Sequence, residues 1–251
     1  MSSLAGKHIV ITRPEHQAIQ IKKYLDQQQA NVSLFPLITI QAIERQNLSH
    51  AREADWFIFI SANAVEYGLK HLNLAKIDLS KKFVAAIGKK TASKLKQAGL
   101  TIDLVPEDTF NTECFLKLNA TQSVEGKRIL IFRGNGGREQ LANVLRERGA
   151  KVEYAEVYRR SCPKQNTDTL KSRWQQQLLD IIVITSSEGL HNLYSMSKGD
   201  WIKSVPLLLG SERMRETAAN LGHIGKIIMA KNPSDEAVLS QLLTWSKQES
   251  N

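Results

Sequence analysis

At 251 residues the chain has room for one large domain or two modest ones, and its 42% apolar and 24% charged residues exclude a disordered or collagen-like chain. Lysine and arginine exceed aspartate and glutamate by nine, so the surface attracts anions: nucleic acid, anionic lipid or a polycarboxylate. The basic residues are scattered, with no aromatic stacking motif beside them, which disfavours nucleic acid, and no apolar run approaches the ~20 residues that span a bilayer.

The opening MSSLAGKHIVITRPE passes straight into a short strand pattern without the features of a secretion signal, so a cytoplasmic protein is expected. Arg13 ends that strand, and the spacing of Ala18, Ile21 and Leu25 predicts a helix behind it. A strand at Val32 to Phe35 is followed at once by a second extended run, Leu37 to Ile40, with no helix between. Asp55 to Ser61 reads as a buried strand, and Val65, Leu69 and Leu72 as the apolar face of a helix. Val84 to Gly88 is a further strand, and Ala92 and Leu95 mark a helix that Gly99 caps. A strand at Thr101 to Val105 and a helix after Pro106 are expected next.

From Glu125 the pattern starts again. Glu125 to Ile131 repeats Ala5 to Ile11, with Gly6 and Gly126 about 120 positions apart, and Arg133 ends its strand as Arg13 does. A helix (Leu141, Val144, Leu145) and a strand (Val152 to Tyr154) follow, then an extended piece at Val157-Tyr158. Asp180 to Ser186 repeats Asp55 to Ser61, Pro206 to Gly210 repeats Val84 to Gly88, and Gly222 stands where Gly99 does. A strand at Lys226 to Ala230 and a helix after Pro233 close the chain. Continuous apolar strands alternating with amphipathic helices predict an α/β protein of two similar lobes, each a five-stranded parallel sheet flanked by helices. The two helix-free runs are read as linkers between lobes.

Arg133-Gly134-Asn135-Gly136-Gly137-Arg138-Glu139 lies where a strand turns into a helix, so its amides could receive an anion. A dinucleotide fingerprint needs glycine where Glu139 stands, although Glu156 lies about 20 residues on, as a ribose-binding acid does. Ser61, Thr185, Ser186 and Ser187 follow strands and precede helices, where hydroxyls serve as N-caps. The same edges are where open α/β sheets bind ligands, and Thr91, just after Gly88, joins them. The six histidines have no partner at coordination spacing and read as surface residues; Cys114 and Cys162 read as thiols without pairing or metal-ligand spacing. No metal is expected.

The RGNGGRE turn, the AEVYRR strand at Ala155 to Arg160, the opening ITRP, IGKKTAS at Ile87 to Ser93, VITSSE at Val183 to Glu188 and GSER at Gly210 to Arg213 together resemble uroporphyrinogen-III synthase of the proteobacterial type. The resemblance implies discontinuous lobes, residues 1–36 with 161–251 and residues 37–160. It also implies a cofactor-free cyclisation of hydroxymethylbilane to uroporphyrinogen III, a lyase reaction of haem biosynthesis that loses water and inverts ring D. The implied partner is that polycarboxylate substrate alone, with no nucleic acid and no membrane, for a monomer in the cytoplasm. Carried over by motif, Tyr158 assists departure of the hydroxyl group, and Arg13, Ser61, Thr91, Arg133, Asn135, Thr185 and Ser186 bind substrate. The chain departs from the family's hydroxyl pairs at Ser211-Glu212-Arg213 and at Ile60-Ser61. A two-lobed cytosolic binding protein for an anionic small molecule and a nucleotide-dependent reductase are the competing readings.

Overall fold

A computed structural model describes residues 4–44, 48–107 and 110–249. In chain order its regular elements begin with β1 (His8–Ile11), α1 (Glu15–Gln27), β2 (Asn31–Leu34), β3 (Thr39–Ala42), β4 (Trp56–Phe59), α2 (Ala62–Leu74), β5 (Phe83–Ala86) and α3 (Lys89–Gln97). Then come α4 (Thr112–Phe115), α5 (Asn119–Gln122), β6 (Arg128–Gly134), α6 (Gln140–Glu147) and β7 (Lys151–Ser161). The last are α7 (Asp168–Gln175), β8 (Ile181–Ile184), α8 (Ser187–Met196), β9 (Leu207–Leu209), α9 (Glu212–Asn220), β10 (Ile227–Met229) and α10 (Asp235–Glu249). The chain divides into two compact units, Met1–Thr39 with Ser161–Asn251 (unit 1) and Ile40–Arg160 (unit 2).

Unit 1 holds a sheet of order β10-β9-β8-β1-β2, all parallel. Successive side chains of β1 point to opposite faces: Ile9 and Ile11 pack with α1 and α10 through Ile21, Leu25, Leu242 and Trp245, and Val10 packs with α8 and α9 through Leu190, Leu193 and Met214. Burial on both faces is why these strands are apolar throughout.

Unit 2 holds the order β3-β7-β6-β4-β5, in which the β7-β6, β6-β4 and β4-β5 pairs are parallel. Phe57, Phe59, Leu130 and Phe132 face α2 and α3; Trp56, Ile58, Ile129 and Ile131 face Phe115 of α4 and Leu141 and Leu145 of α6. Four strands therefore repeat in the same spatial order, β9-β8-β1-β2 and β5-β4-β6-β7. The fifth does not. The strand expected at Thr101 to Val105 is reduced to one bridge, Ala85 with Leu104, and the fifth place in this sheet goes to β3 at the opposite edge. The helix-free runs read as linkers do carry the chain from one unit to the other, at Thr39/Ile40 and Arg160/Ser161, and at those points they are strand, β3 and the far end of the 11-residue β7.

The repeated glycines stop their helices identically. Gly99 and Gly222 have φ of 78° and 75°; Leu100 N–H reaches Leu95 O and His223 N–H reaches Ala218 O, while each glycine N–H bonds three residues back. This is the Schellman arrangement, whose left-handed residue costs glycine nothing.

His223 is half-buried rather than fully on the surface. Its Nδ1 lies 2.7 Å from Tyr194 Oη, and its buried Nε2 has no hydrogen-bond partner among the described residues. Burial holds its pKa below the ordinary histidine value and pushes Tyr194 up to about 12. A histidine depressed in the folded state contributes stability that is complete above about pH 6.5 and is lost as pH falls through its folded value. Urea unfolding of unit 1 is accordingly expected to weaken between pH 7.5 and 5.5, and His223→Gln is expected to flatten that dependence; a variant with the parent slope would assign it to other groups.

Candidate functional site

The C-terminal edge of the unit 2 sheet brings several of the sequence-predicted residues together. Between β6 and β7 the register runs Phe132 with Ala155, Arg133 with Glu156, then Gly134 with Tyr158, so Val157 is an extra residue. Its carbonyl accepts from Ile43 N–H instead. Without this bulge, period-2 alternation would put Tyr158 on the face of Tyr154. With it, Val157 and Tyr158 both join the cluster under α2.

Tyr158 is 6% exposed, and its ring lies across Gly134, where a Cβ would sit 2.7 Å from ring carbons Cε2 and Cζ. Tyr67 of α2 flanks it, ring centroids 5.9 Å apart. The phenol oxygen is 3.1 Å from Ser61 Oγ. Ser61 is the N-cap of α2 and accepts from Ala64 N–H at 3.0 Å, as a serine at that position does. Thr91 is buried in the first turn of α3.

Arg133 points away from this phenol. Its Nη1 donates to Glu139 Oε1 at 2.8 Å, its Nε to the Gly136 carbonyl at 3.1 Å, and its guanidinium carbon sits 4.2 Å from the centre of the Tyr154 ring. Tyr154 donates in turn to Glu139 Oε2 at 2.6 Å. That hydrogen bond first, then Arg133, holds the Glu139 carboxyl below the usual carboxylate range, while burial and then Glu139 raise Tyr154. The glycine-rich turn expected to receive an anion already holds one: Glu156 accepts from Asn135 Nδ2 at 2.7 Å and from Gly136 N–H at 3.2 Å. That carboxylate is committed to the turn, and the nucleotide reading loses its ribose-binding acid. Asn135 N–H donates to Tyr158 O at 2.8 Å, tying the turn to the bulge.

Unit 1 repeats part of this. Ser186 caps α8 and accepts from Gly189 N–H at 3.1 Å, the counterpart of Ser61. Arg13 is turned inward: Nε donates to Thr185 Oγ1 at 3.2 Å, Nη2 to Pro233 O at 2.6 Å, and Nη1 pairs with Asp235. Ser211 begins α9 without a side-chain cap bond. Four functions were missed from sequence: Gly134 as the seat of a ring, Glu139, Glu156 and Asp235 as the carboxylates that brace the motif's arginines and turn. Spacing carried no signal for Asp235, 222 residues from Arg13.

A sequence model of the family described as uroporphyrinogen-III synthase HemD matches residues 19–240. The chain belongs to the uroporphyrinogen-III synthase family. It is 30% identical over 248 residues to uroporphyrinogen-III synthase of Escherichia coli (strain K12), spanning 93% of this chain and 99% of that one. With that of Proteus mirabilis it shares 32% over 193 residues, 74% of this chain and 97% of the other. These relatives are of the proteobacterial type. Among solved structures, uroporphyrinogen-III synthetase from Helicobacter pylori 26695 has the same fold, with a TM-score of 0.65 at 18% identity, spanning 95% of this chain and 99% of that one. The family's place is in porphyrin and haem biosynthesis. Among the described residues no helix is long and apolar enough to cross a membrane.

Proposed function

We propose that the chain is a lyase that closes hydroxymethylbilane to uroporphyrinogen III, with loss of water and inversion of ring D, and that Tyr158 is its catalytic residue. The observation that carries this is the phenol held at a strand edge by Ser61. Ser61 Oγ has two acceptor positions and one proton. Ala64 N–H fills one acceptor position. When the serine proton goes to Tyr158 Oη across 3.1 Å, the phenol's own proton is directed outward. There it donates to the hydroxyl that departs as water, and help of this kind is worth about 10²–10⁴-fold at most.

Thr91 in unit 2, and separately Thr185 and Ser186 in unit 1, sit at strand-to-helix turns and offer hydroxyls to substrate carboxylates, whereas Asn135, whose amides go to Glu156 and the Tyr158 carbonyl, braces its own turn. Arg13 and Arg133, both occupied internally, hold those turns rather than the ligand. No cofactor takes part in this scheme, which runs in the cytoplasm on a monomer without nucleic acid.

The deciding experiment incubates the purified chain with hydroxymethylbilane, oxidises the products and separates the isomers. Predominant isomer III is expected. A hundredfold preference over isomer I needs only about 2.7 kcal/mol between the two transition states. Isomer I at the spontaneous rate would show that the chain binds without catalysing. Tyr158→Phe should lose about tenfold to a hundredfold in kcat with an unchanged fold, because only one hydroxyl is removed; full parent turnover would remove Tyr158 from its role.

A further inference from the structure

On the face of the unit 2 sheet opposite Tyr158, a cavity of about 210 Å³ opens among Ile60, Ile87, Ile131, Leu141, Thr112 and Arg138, backed by Arg133 and Tyr154. Its walls are aliphatic because Ile87, Ile131 and Leu141 belong to the core cluster under α6, and Ile60 continues the same face of β4 past the strand's end. Ile60 is 38% exposed and lines the cavity from the end of β4. The polar groups are different in kind. Arg133 is neutralised by Glu139 at 2.8 Å. Arg138 is not: its side chain is 75% exposed and only reaches Glu113 at 3.9 Å, beyond hydrogen-bond distance. The cavity therefore has an apolar floor and one under-used guanidinium at its mouth, with the Thr112 hydroxyl beside it. Apolar walls with a few placed polar groups are what a small-molecule pocket requires.

We propose that this cavity is a subsite for one short carboxylate arm of the substrate, its methylenes against Ile60, Ile87 and Leu141 and its carboxylate paired with Arg138. The assignment rests on the proposed reaction, since it takes a polycarboxylate as the ligand. Size agrees: at roughly 30 Å³ for each water-sized group the cavity holds about seven, more than an acetate- or propionate-length arm needs. Charge agrees as well, because a guanidinium binds a carboxylate through two parallel N–H bonds and Glu113 forms none with it. A substrate lying over the strand edge then meets Tyr158 on one face of the sheet and anchors an arm on the other, which fixes a ring's orientation as well as its position.

The test uses the full chain and two substitutions that act differently. Arg138→Gln removes the charge; Ile60→Phe fills the space from an exposed position and keeps the charge. Each is expected to raise KM for hydroxymethylbilane about fivefold to tenfold with kcat within about twofold, as loss of one ion pair or one buried arm does at about 1 kcal/mol. Both should weaken calorimetric binding of uroporphyrin III, the oxidised polycarboxylate product, by the same factor, and Arg138→Lys should recover part of it. Parent KM and parent uroporphyrin affinity in both variants, from a chain that still makes isomer III, would overturn the subsite and leave the reaction standing. Weakening by Arg138→Gln alone would overturn it too, as a surface charge acting at a distance. A parent chain that makes no isomer III and does not bind uroporphyrin would instead remove the reaction on which the subsite rests.

Discussion

Arg13→Ala is expected to cost unit 1 about 3–5 kcal/mol of stability, because it leaves the Asp235 carboxylate in a poorly solvated place without its counter-charge. The side chains of Arg13 and Asp235 are 10% and 12% exposed. The guanidinium also ties the start of α10 to the ends of β1 and β8, through Pro233 O at 2.6 Å and Thr185 Oγ1 at 3.2 Å. Urea unfolding should show a midpoint lowered by on the order of 2 M with an unchanged slope, since the surface exposed on unfolding stays the same. The paired replacement Arg13→Met with Asp235→Leu should recover most of the loss, as exchanging a buried pair for apolar groups generally does. If Arg13→Ala instead leaves the midpoint in place and raises KM, the arginine is a substrate contact, as the sequence motif suggested.

Gly134→Ala is expected to lower kcat/KM by about tenfold to a hundredfold, the scale of a displacement of about 1 Å in a reacting group. The added methyl would stand 2.7 Å from Cε2 and Cζ of Tyr158 and 3.1 Å from its Oη. Neither side can yield easily: Gly134 is in the β6 ladder, and the ring is wedged by Tyr67 with its hydroxyl on Ser61. The fold should lose about 1–3 kcal/mol from overpacking and remain intact at 25 °C. The check is a double-mutant cycle. If the methyl acts through the phenol, Gly134→Ala on top of Tyr158→Phe costs much less than it does alone. Full additivity would mean that the glycine matters for another reason.

Apart from the Thr101 to Val105 strand, which is reduced to a bridge, and α7, which no pattern marked, the sequence by itself determined the elements, the duplication and the capping hydroxyls, because these depend on short-range patterns. Strand and helix periods appear within ten residues. The recurrence of the Lys7 to Ile11 and Lys127 to Ile131 runs is visible without coordinates, and Ser61 and Ser186 cap the helices their positions announce. What the pattern left open is which copies share a sheet. β1 and β6 are nearly interchangeable apolar strands, so either could lie beside β4 or β8; residue patterns alone suggest two consecutive halves. The fold pairs β1 with β8 and β6 with β4, so each sheet is built from both copies. Only the helix-free runs at Leu37 and Val157 hinted at it: the chain passes between the two units at Thr39/Ile40 and Arg160/Ser161, within β3 and at the far end of β7, so these connectors are strand as well.

The candidate site divides in the same way. Tyr158 and Ser61 could be picked out by motif, but their meeting depends on the bulge at Val157. One inserted residue reverses which face every later side chain takes, and nothing in the local composition announces it. The motif arginines looked like ligands for an anion because charge is all a sequence displays. In the fold they sit 9% and 3% exposed with carboxylates of their own. A buried cation must be paired, and its partner can lie anywhere along the chain, so that pairing is decided by tertiary structure alone.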